Sequence, residues 1–367
     1  MEQQKTRVER ISSQIKSNPI VATLIILGTI VIALATFTDA ATKLFSLISR
    51  QSPAAARAEL ARMSLGYTPK AFVLSATTGD LMAVKLFLTA GMDPNATDEQ
   101  GLTALGTASY KGHVQIVTVL VKAGADGRGS LEHPSALVEA ASAGHIDSLR
   151  VLLEKSPDAE TINSAFIEAA ITRHHEVVRL LADRGAEVKR VGSIAMMAIW
   201  DRGWGDQAVS DTTKILLDLG ADPNGKDQEG WTALLAAAQR DHPTTVRLLL
   251  NRGADANARC SGTSALPSFT PRSLANQSSG RWGGGVAACT DRCACPHVLG
   301  RTALMFAAES GSTSIVRALL GSGARVNDKD ADGKTPLDFA RRGLFDHADR
   351  ATEVIQLLKS PGTKDRN

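Results

Sequence analysis

The residues of this chain best able to do chemistry are its four cysteines, and all of them fall in one stretch: Cys260, Cys289, Cys293 and Cys295. Four cysteines make two disulfides in any of three pairings, and such bridges persist in an oxidising compartment. The alternative ligand set, Cys289-x3-Cys293-x-Cys295-x-His297 with Cys260, would hold zinc through thiolate and imidazole. Its gaps match no common zinc module and strain a tetrahedral site. Disulfides are the expected state, with free thiols and zinc as the alternatives. No other catalytic pattern stands out. Gly283-Gly284-Gly285 lacks the Lys-Ser/Thr of a phosphate loop. Neither Gly-x-Ser-x-Gly nor His-Glu-x-x-His occurs, and no nucleophile stands beside a base. An enzyme is therefore not expected, and no cofactor is called for.

The cysteines lie between Asn257 and Gly300, in a segment rich in Ser, Gly and Pro. A loop of this length inside a compact array is functional or unstructured. What flanks it is regular. Residues 230–258 read GWTALLAAAQRDHPTTVRLLLNRGADANA: a turn, a small-residue helix, a break at Asp241-His242-Pro243, a leucine-rich helix and a glycine. Gly91 and Gly124 are 33 residues apart, as are Gly220 and Gly253, and Thr302 and Thr335. Gly185 to Gly220 is 35, and Gly253 to Gly323 is 70, one period plus an insertion of 37. Gly124 to Gly185 is 61, a shortened pair with Pro157 near the missing middle glycine. Such a unit cannot bury its own apolar face and needs copies on either side.

With this period, the segments Gly101-Leu-Thr-Ala-Leu105, Gly112-His113, Gly124-Ala-Asp126, Gly144-His145, Gly220-Ala-Asp-Pro-Asn224, Gly300-Arg-Thr-Ala-Leu304 and Gly333-Lys-Thr-Pro-Leu337 resemble ankyrin repeats. The resemblance covers about four fifths of the chain. It implies an all-α ankyrin-repeat solenoid of about eight helix-turn-helix repeats over residues 66–358, interrupted by the cysteine-bearing insertion 259–299. Alanines on the first helices allow close approach of neighbouring repeats, and leucine pairs such as Leu180-Leu181 and Leu248-Leu249 fill the seam behind them. His113 and His145 are expected to hydrogen-bond neighbouring backbone; His174-His175 lies at the same turn without its glycine, and no Cys or carboxylate ligand set near it in sequence favours a metal pair there.

The resemblance also implies a protein partner on the concave face of turn tips and first helices. The tips carry Asp98, Glu99, Gln100, Lys226, Asp227, Gln228, Glu229, Asp330 and Asp332. The first-helix ends carry Tyr110, Lys111, Arg173, His174, Trp200, Gln239, Arg240 and Glu309. In the fifth repeat Trp200 and Trp204 flank an enlarged loop, and tryptophan and arginine dominate interface energies. Composition agrees with a binding role without nucleic acid: net charge is +3, from 41 basic and 38 acidic residues, and no long run of one sign occurs.

A polar segment, residues 1–16, precedes an uncharged stretch, residues 17–38. At about 1.5 Å per residue these 22 residues make about 33 Å of helix, enough for a hydrocarbon core of about 30 Å. The apolar run exceeds a signal-peptide core, so an uncleaved single-pass anchor in the cell membrane is expected. Lys5, Arg7, Arg10 and Lys16 precede it, while Lys43, Arg50 and Arg57 follow. That tilts toward a cytoplasmic N-terminus and an extracytoplasmic repeat domain. Residues 39–65 read as a helical connector or cap, and 359–367 as a tail. The expected function is a membrane-tethered scaffold or adaptor for a protein partner. The alternative is a sensor or enzyme-like activity in the cysteine-rich insertion, using metal or redox chemistry.

Overall fold

The computed structural model describes residues 52–129, 133–199, 204–227, 230–260, 299–342 and 348–359. Among these residues it holds 17 helices and no strand, with two isolated bridges. The helices are α1 Pro53–Arg62, α2 Pro69–Thr78, α3 Leu81–Thr89, α4 Ala104–Lys111, α5 Val114–Lys122, α6 Ala136–Ala143, α7 Ile146–Leu153, α8 Ala159–Ile171 and α9 His175–Asp183. There follow α10 Val188–Ala198, α11 Asp206–Asp218, α12 Ala233–Gln239, α13 Pro243–Asn251, α14 Ala303–Glu309, α15 Thr313–Gly321, α16 Pro336–Arg342 and α17 Ala348–Lys359. No described helix is long and apolar enough to cross a membrane. The uncharged stretch 17–38 lies outside the described residues, as do Trp200, Gln228, Glu229, Cys289, Cys293, Cys295 and His297.

The chain divides into two units. One comprises the residues up to Ala71 with Met82–Asp93; the other comprises Phe72–Leu81 with Pro94 onward. In the first, Ser52 caps α1 by accepting from the Ala55 amide at 3.2 Å, and Ala56 and Leu60 are buried. The Arg57 guanidinium lies 4.5 Å over the Tyr67 ring and donates to the Ala90 carbonyl at 3.2 Å. The Tyr67 hydroxyl donates to the same carbonyl at 3.1 Å, and its ring stacks on Phe87. The end of α3 thus gains two donors, one of them cationic, where a helix leaves carbonyls unsatisfied and its dipole is negative.

In the second unit, seven helix pairs follow one another from α4–α5 to α16–α17. First helices present alanine to their neighbours: Ala108, Ala140, Ala141, Ala169, Ala170, Ala237, Ala238, Ala307 and Ala308 are all buried. The leucine pairs fill the seam to different depths. Both members of Leu152-Leu153 and of Leu319-Leu320 are buried. In three other pairs Leu181, Leu216 and Leu249 are fully buried, whereas Leu180, Leu217 and Leu248 are half-buried. Neighbours on a helix of 3.6 residues per turn point about 100° apart, so in those three only one faces the seam.

Side chains tie each repeat to the next. Asn224 accepts from the Asp255 amide at 2.7 Å and donates to the Gly253 carbonyl at 2.9 Å. Asn95 accepts likewise from the Asp126 amide. The turn histidines pack on glycines one repeat earlier. A Cβ on Gly79 would come within 2.8 Å of the His113 ring, and one on Gly112 within 2.5 Å of His145; Gly144 stands in the same way beneath His174. Those glycines also hold positive φ, so the close approach and the turn both require them. The glycine missing between Gly124 and Gly185 is replaced by Ser156, which adopts the left-handed conformation itself at φ 52°.

The insertion leaves and rejoins the array at the tip of a hairpin. In three uninterrupted hairpins the sequence Asp-x-x-Gly closes the tip, at Asp98, Asp227 and Asp330. Each aspartate amide donates across to Leu102, Trp231 or Lys334, respectively, at 3.0 Å. In the interrupted one Cys260 stands where the aspartate would. Its amide donates to the Arg301 carbonyl at 3.3 Å and its carbonyl accepts from the Gly300 amide at 3.0 Å. The flanking bridge Arg259–Thr302 matches Thr97–Thr103. Cys260 is 1% exposed. The repeats on either side keep register: Asn257 accepts from the Arg325 amide at 2.9 Å and donates to the Gly323 carbonyl at 3.3 Å.

Candidate functional site

The turn tips are held by their own carboxylates. Asp98 Oδ1 accepts from the amides of Gln100 and Leu102, both at 2.9 Å. Asp227 Oδ1 accepts from the Trp231 amide at 2.8 Å, and Asp330 Oδ1 from those of Asp332 and Lys334. Of the expected partner-binding residues, Asp98 and Asp227 therefore shape the fingers, while Glu99, Gln100 and Lys226 are exposed beside them. The Gln100 carbonyl is 2.7 Å from His133 Nε2, which fixes the finger to the following loop.

Beside the first of these fingers lies a cavity of about 360 Å³, bounded by α4, α6 and the loops before them. Its apolar wall comprises Leu102, Pro134, Ala136 and the Tyr110 ring, and Tyr110 is 48% exposed. Polar groups converge from three sides. Lys111 places Nζ 5.5 Å from the Tyr110 ring centre, so that the two residues expected at this helix end do sit together. Arg128 lies against Asp126, with a shortest contact of 2.8 Å, and this pair holds the Asp126 carboxyl below its usual range. Glu139 enters from α6; burial pushes its carboxyl up, His133 pulls it down and Glu168 adds to the rise.

Glu139 and His133 are not among the residues that motif reasoning selects. A signal exists nonetheless: Glu139-Ala-Ala and Glu168-Ala-Ala place a charge at the same step of two successive alanine-rich first helices. Glu168 is buried.

Other expected residues occupy separate places. Arg173 takes φ 64° in the turn before α9 and lays its guanidinium 5.1 Å over the Trp204 ring, which is 38% exposed. His174 packs against Gly144. Gln239 and Arg240 are exposed at the end of α12. Glu309 is held inside the chain, with Oε2 2.6 Å from Arg301 Nη1 and Oε1 3.8 Å from Arg342. Arg301 is 6% exposed, lying 4.1 Å over Phe339 and 5.6 Å over Phe306, which in turn stacks on Trp231. That run of rings and guanidinium joins the last three repeats.

Asp206 reaches one repeat forward and accepts from the amides of Thr244 and Thr245 at 2.7 and 3.0 Å, capping α13. Burial opposes ionisation there, yet these bonds hold its carboxyl below the usual value. Burial keeps His175 and His242 below the ordinary imidazole value, and His175 Nε2 is 3.0 Å from the Thr212 hydroxyl oxygen. Among the described residues no group of three His, Cys, Asp or Glu is placed to hold a metal ion.

Comparison with known proteins bears on the whole array. A family model described as ankyrin repeats (three copies) matches residues 72–163, 196–268 and 285–365. The mitochondrial disaggregase of Bos taurus is 31% identical over 166 residues, 41% of this chain and 20% of that protein. The ankyrin repeat protein YahD of Escherichia coli (strain K12) is 28% identical over 205 residues, 52% of this chain and 100% of the relative. The E3 ubiquitin-protein ligase KEG of Arabidopsis thaliana is 23% identical over 304 residues, 82% of this chain but 15% of the ligase. The chain thus spans only a fifth of the disaggregase and less of the ligase. A crystal structure of the human ASB11 ankyrin repeat domain superposes with a TM-score of 0.39 at 18% identity, covering 79% of this chain and 98% of that domain.

Proposed function

Since the chain belongs to the ankyrin-repeat family, we propose that it is a membrane-tethered scaffold that binds a protein partner through the face formed by its turn fingers and first helices. The observation that carries the binding role is the cavity beside the first finger, at α4 and α6, with Tyr110 exposed at its edge. Tyrosine is among the side chains that dominate interface energies, and Tyr110 stands exposed beside a concavity that could receive a partner. The uncharged stretch 17–38 supports the tether, because a solenoid helix is shorter and amphipathic. The confinement of all four cysteines to one insertion supports a disulfide-stapled excursion in an extracytoplasmic repeat domain.

The test is site-specific photocrosslinking in the native membrane. A crosslinker replacing Tyr110 should capture a protein that one replacing the exposed Arg247, on the second helix α13, does not. Capture from Arg247 alone would place recognition on the other face. A mature chain lacking residues 17–38, or one released by carbonate, would remove the tether.

A further inference from the structure

We infer that the cavity between α4 and α6 is a receptor for a single basic side chain, lysine or arginine, presented by the protein partner, with Glu139 as its counter-ion. The inference deepens the proposed binding face and rests on it. At about 360 Å³ the cavity stands at the low end of ligand-pocket sizes, about 300–1,000 Å³, which suits one long side chain rather than a folded surface.

The charges around it are unequal in kind. Arg128 is neutralised by Asp126 in a bidentate contact, its Nε 2.9 and 3.1 Å from the two carboxylate oxygens. Lys111 turns its ammonium over the Tyr110 ring. His133 directs Nε2 at the Gln100 carbonyl. Among the described residues, Glu139 presents to the cavity a carboxylate that forms no ion pair, with His133 drawing on it only through its charge, on the same wall as the apolar Ala136. Burial raises its carboxyl, His133 pulls it part of the way back, and the neighbouring Glu168 raises it again, leaving it above the ordinary value. A half-buried carboxylate of this kind is relieved by an incoming cation, because an opposite charge at contact distance restores the ionised form. The methylene stem of lysine or arginine fits the apolar wall of Leu102, Pro134 and the Tyr110 ring while its head reaches the acid. An acidic or purely apolar side chain would leave Glu139 buried and unmatched.

The experiment uses the full chain in lipid nanodiscs and a phage library of random linear peptides. Peptides enriched on the wild type should carry Lys or Arg. The synthetic forms should bind at least about tenfold more weakly to E139Q, and replacing their basic residue by norleucine should cost wild-type affinity but little further affinity on E139Q. Thermal unfolding of E139Q should show no loss of stability, which separates recognition from folding. If enriched peptides lose affinity on Tyr110→Ala yet lack basic residues or bind E139Q equally, the receptor is refuted while the binding face stands. If no peptide enriched on the chain is affected by either substitution, both the receptor and the proposed face fail.

Discussion

Replacing the insertion by a plain finger should stabilise the array. The design removes residues 261–299, changes Cys260 to Asp and inserts Glu-Gln before Gly300, copying the finger Asp98-Glu99-Gln100-Gly101. The hydrogen bonds of the neck are already those of that finger, and Asn257 already reaches Gly323 and Arg325 across the excursion. Shortening a loop of 39 residues to two is about four halvings, each about 0.6 kcal/mol of closure entropy, or about 2.5 kcal/mol in all. The new aspartate gains two amide donors like those of Asp98, adding about 1 kcal/mol. Chemical denaturation followed by far-UV circular dichroism should show the repeats after the insertion more stable by about 2–4 kcal/mol, with full helical signal. A loss of that signal, or an earlier transition, would mean that residues within 261–299 are part of the packed core and that the hairpin register is not what holds repeats six and seven together.

Ser156→Gly should stabilise by about 0.5–1 kcal/mol in denaturant melts, because serine at φ 52° carries a left-handed penalty that glycine lacks. Arg301→Lys should cost about 2–3 kcal/mol and loosen hydrogen-exchange protection in α14 and α16 together, since an ammonium cannot replace a guanidinium stacked over Phe339 and paired to Glu309. Acid should weaken the array from about pH 6.5 downward: His175 and His242 lie below the ordinary value of 6.5 in the fold, so the unfolded chain takes up the proton first. Melting temperature against pH should therefore fall less steeply in H175Q and H242Q. Glu139 has the opposite sign. Its raised carboxyl costs stability as pH climbs from the ordinary 4.5 through its folded value, so E139Q should gain stability relative to wild type over that interval and hold the gain above it.

Much of this was legible in the residues. The glycine ruler and the Thr-Ala-Leu starts mark repeats because each glycine sits where the backbone turns left-handed or another repeat presses against it. The fingers were legible as places but not as roles. Asp98 and Asp227 read as free surface charges, whereas their carboxylates close the hairpins that carry them. Glu309 reads the same way until Arg301, eight residues earlier, folds back onto it. Sequence spacing shows which residues share a face; it does not show which of them are already satisfied inside the chain. The cavity was missed for the same reason, since it is formed by Leu102, Pro134, Ala136 and Glu139, none of which is unusual alone.

Satisfaction is what separates a binding residue from a structural one on this face. Asp98, Asp227, Asp330, Asp126, Asp206 and Glu309 are all carboxylates near the surface, and each accepts hydrogen bonds or an arginine from its own chain. Removing such a group costs folding energy, because buried or half-buried donors lose their acceptor. Glu139 differs: its carboxyl is raised mainly by burial, so folding would be easier without it. Those six acids are matched within the chain, whereas Glu139 at the wall of the cavity forms no ion pair among the described residues. An incoming cation supplies the missing half of the pair, and the same desolvation that destabilises the empty carboxylate strengthens its contact with that cation once water has left. Affinity for a basic side chain should therefore follow the ionisation of Glu139. It should weaken on acidification below the raised carboxyl value, with His133, Lys111, Arg128 and Glu168 setting the local field. Peptide affinity measured from neutral to acidic pH would test this. A basic peptide whose binding is unchanged as Glu139 protonates would show that the acid is not its partner.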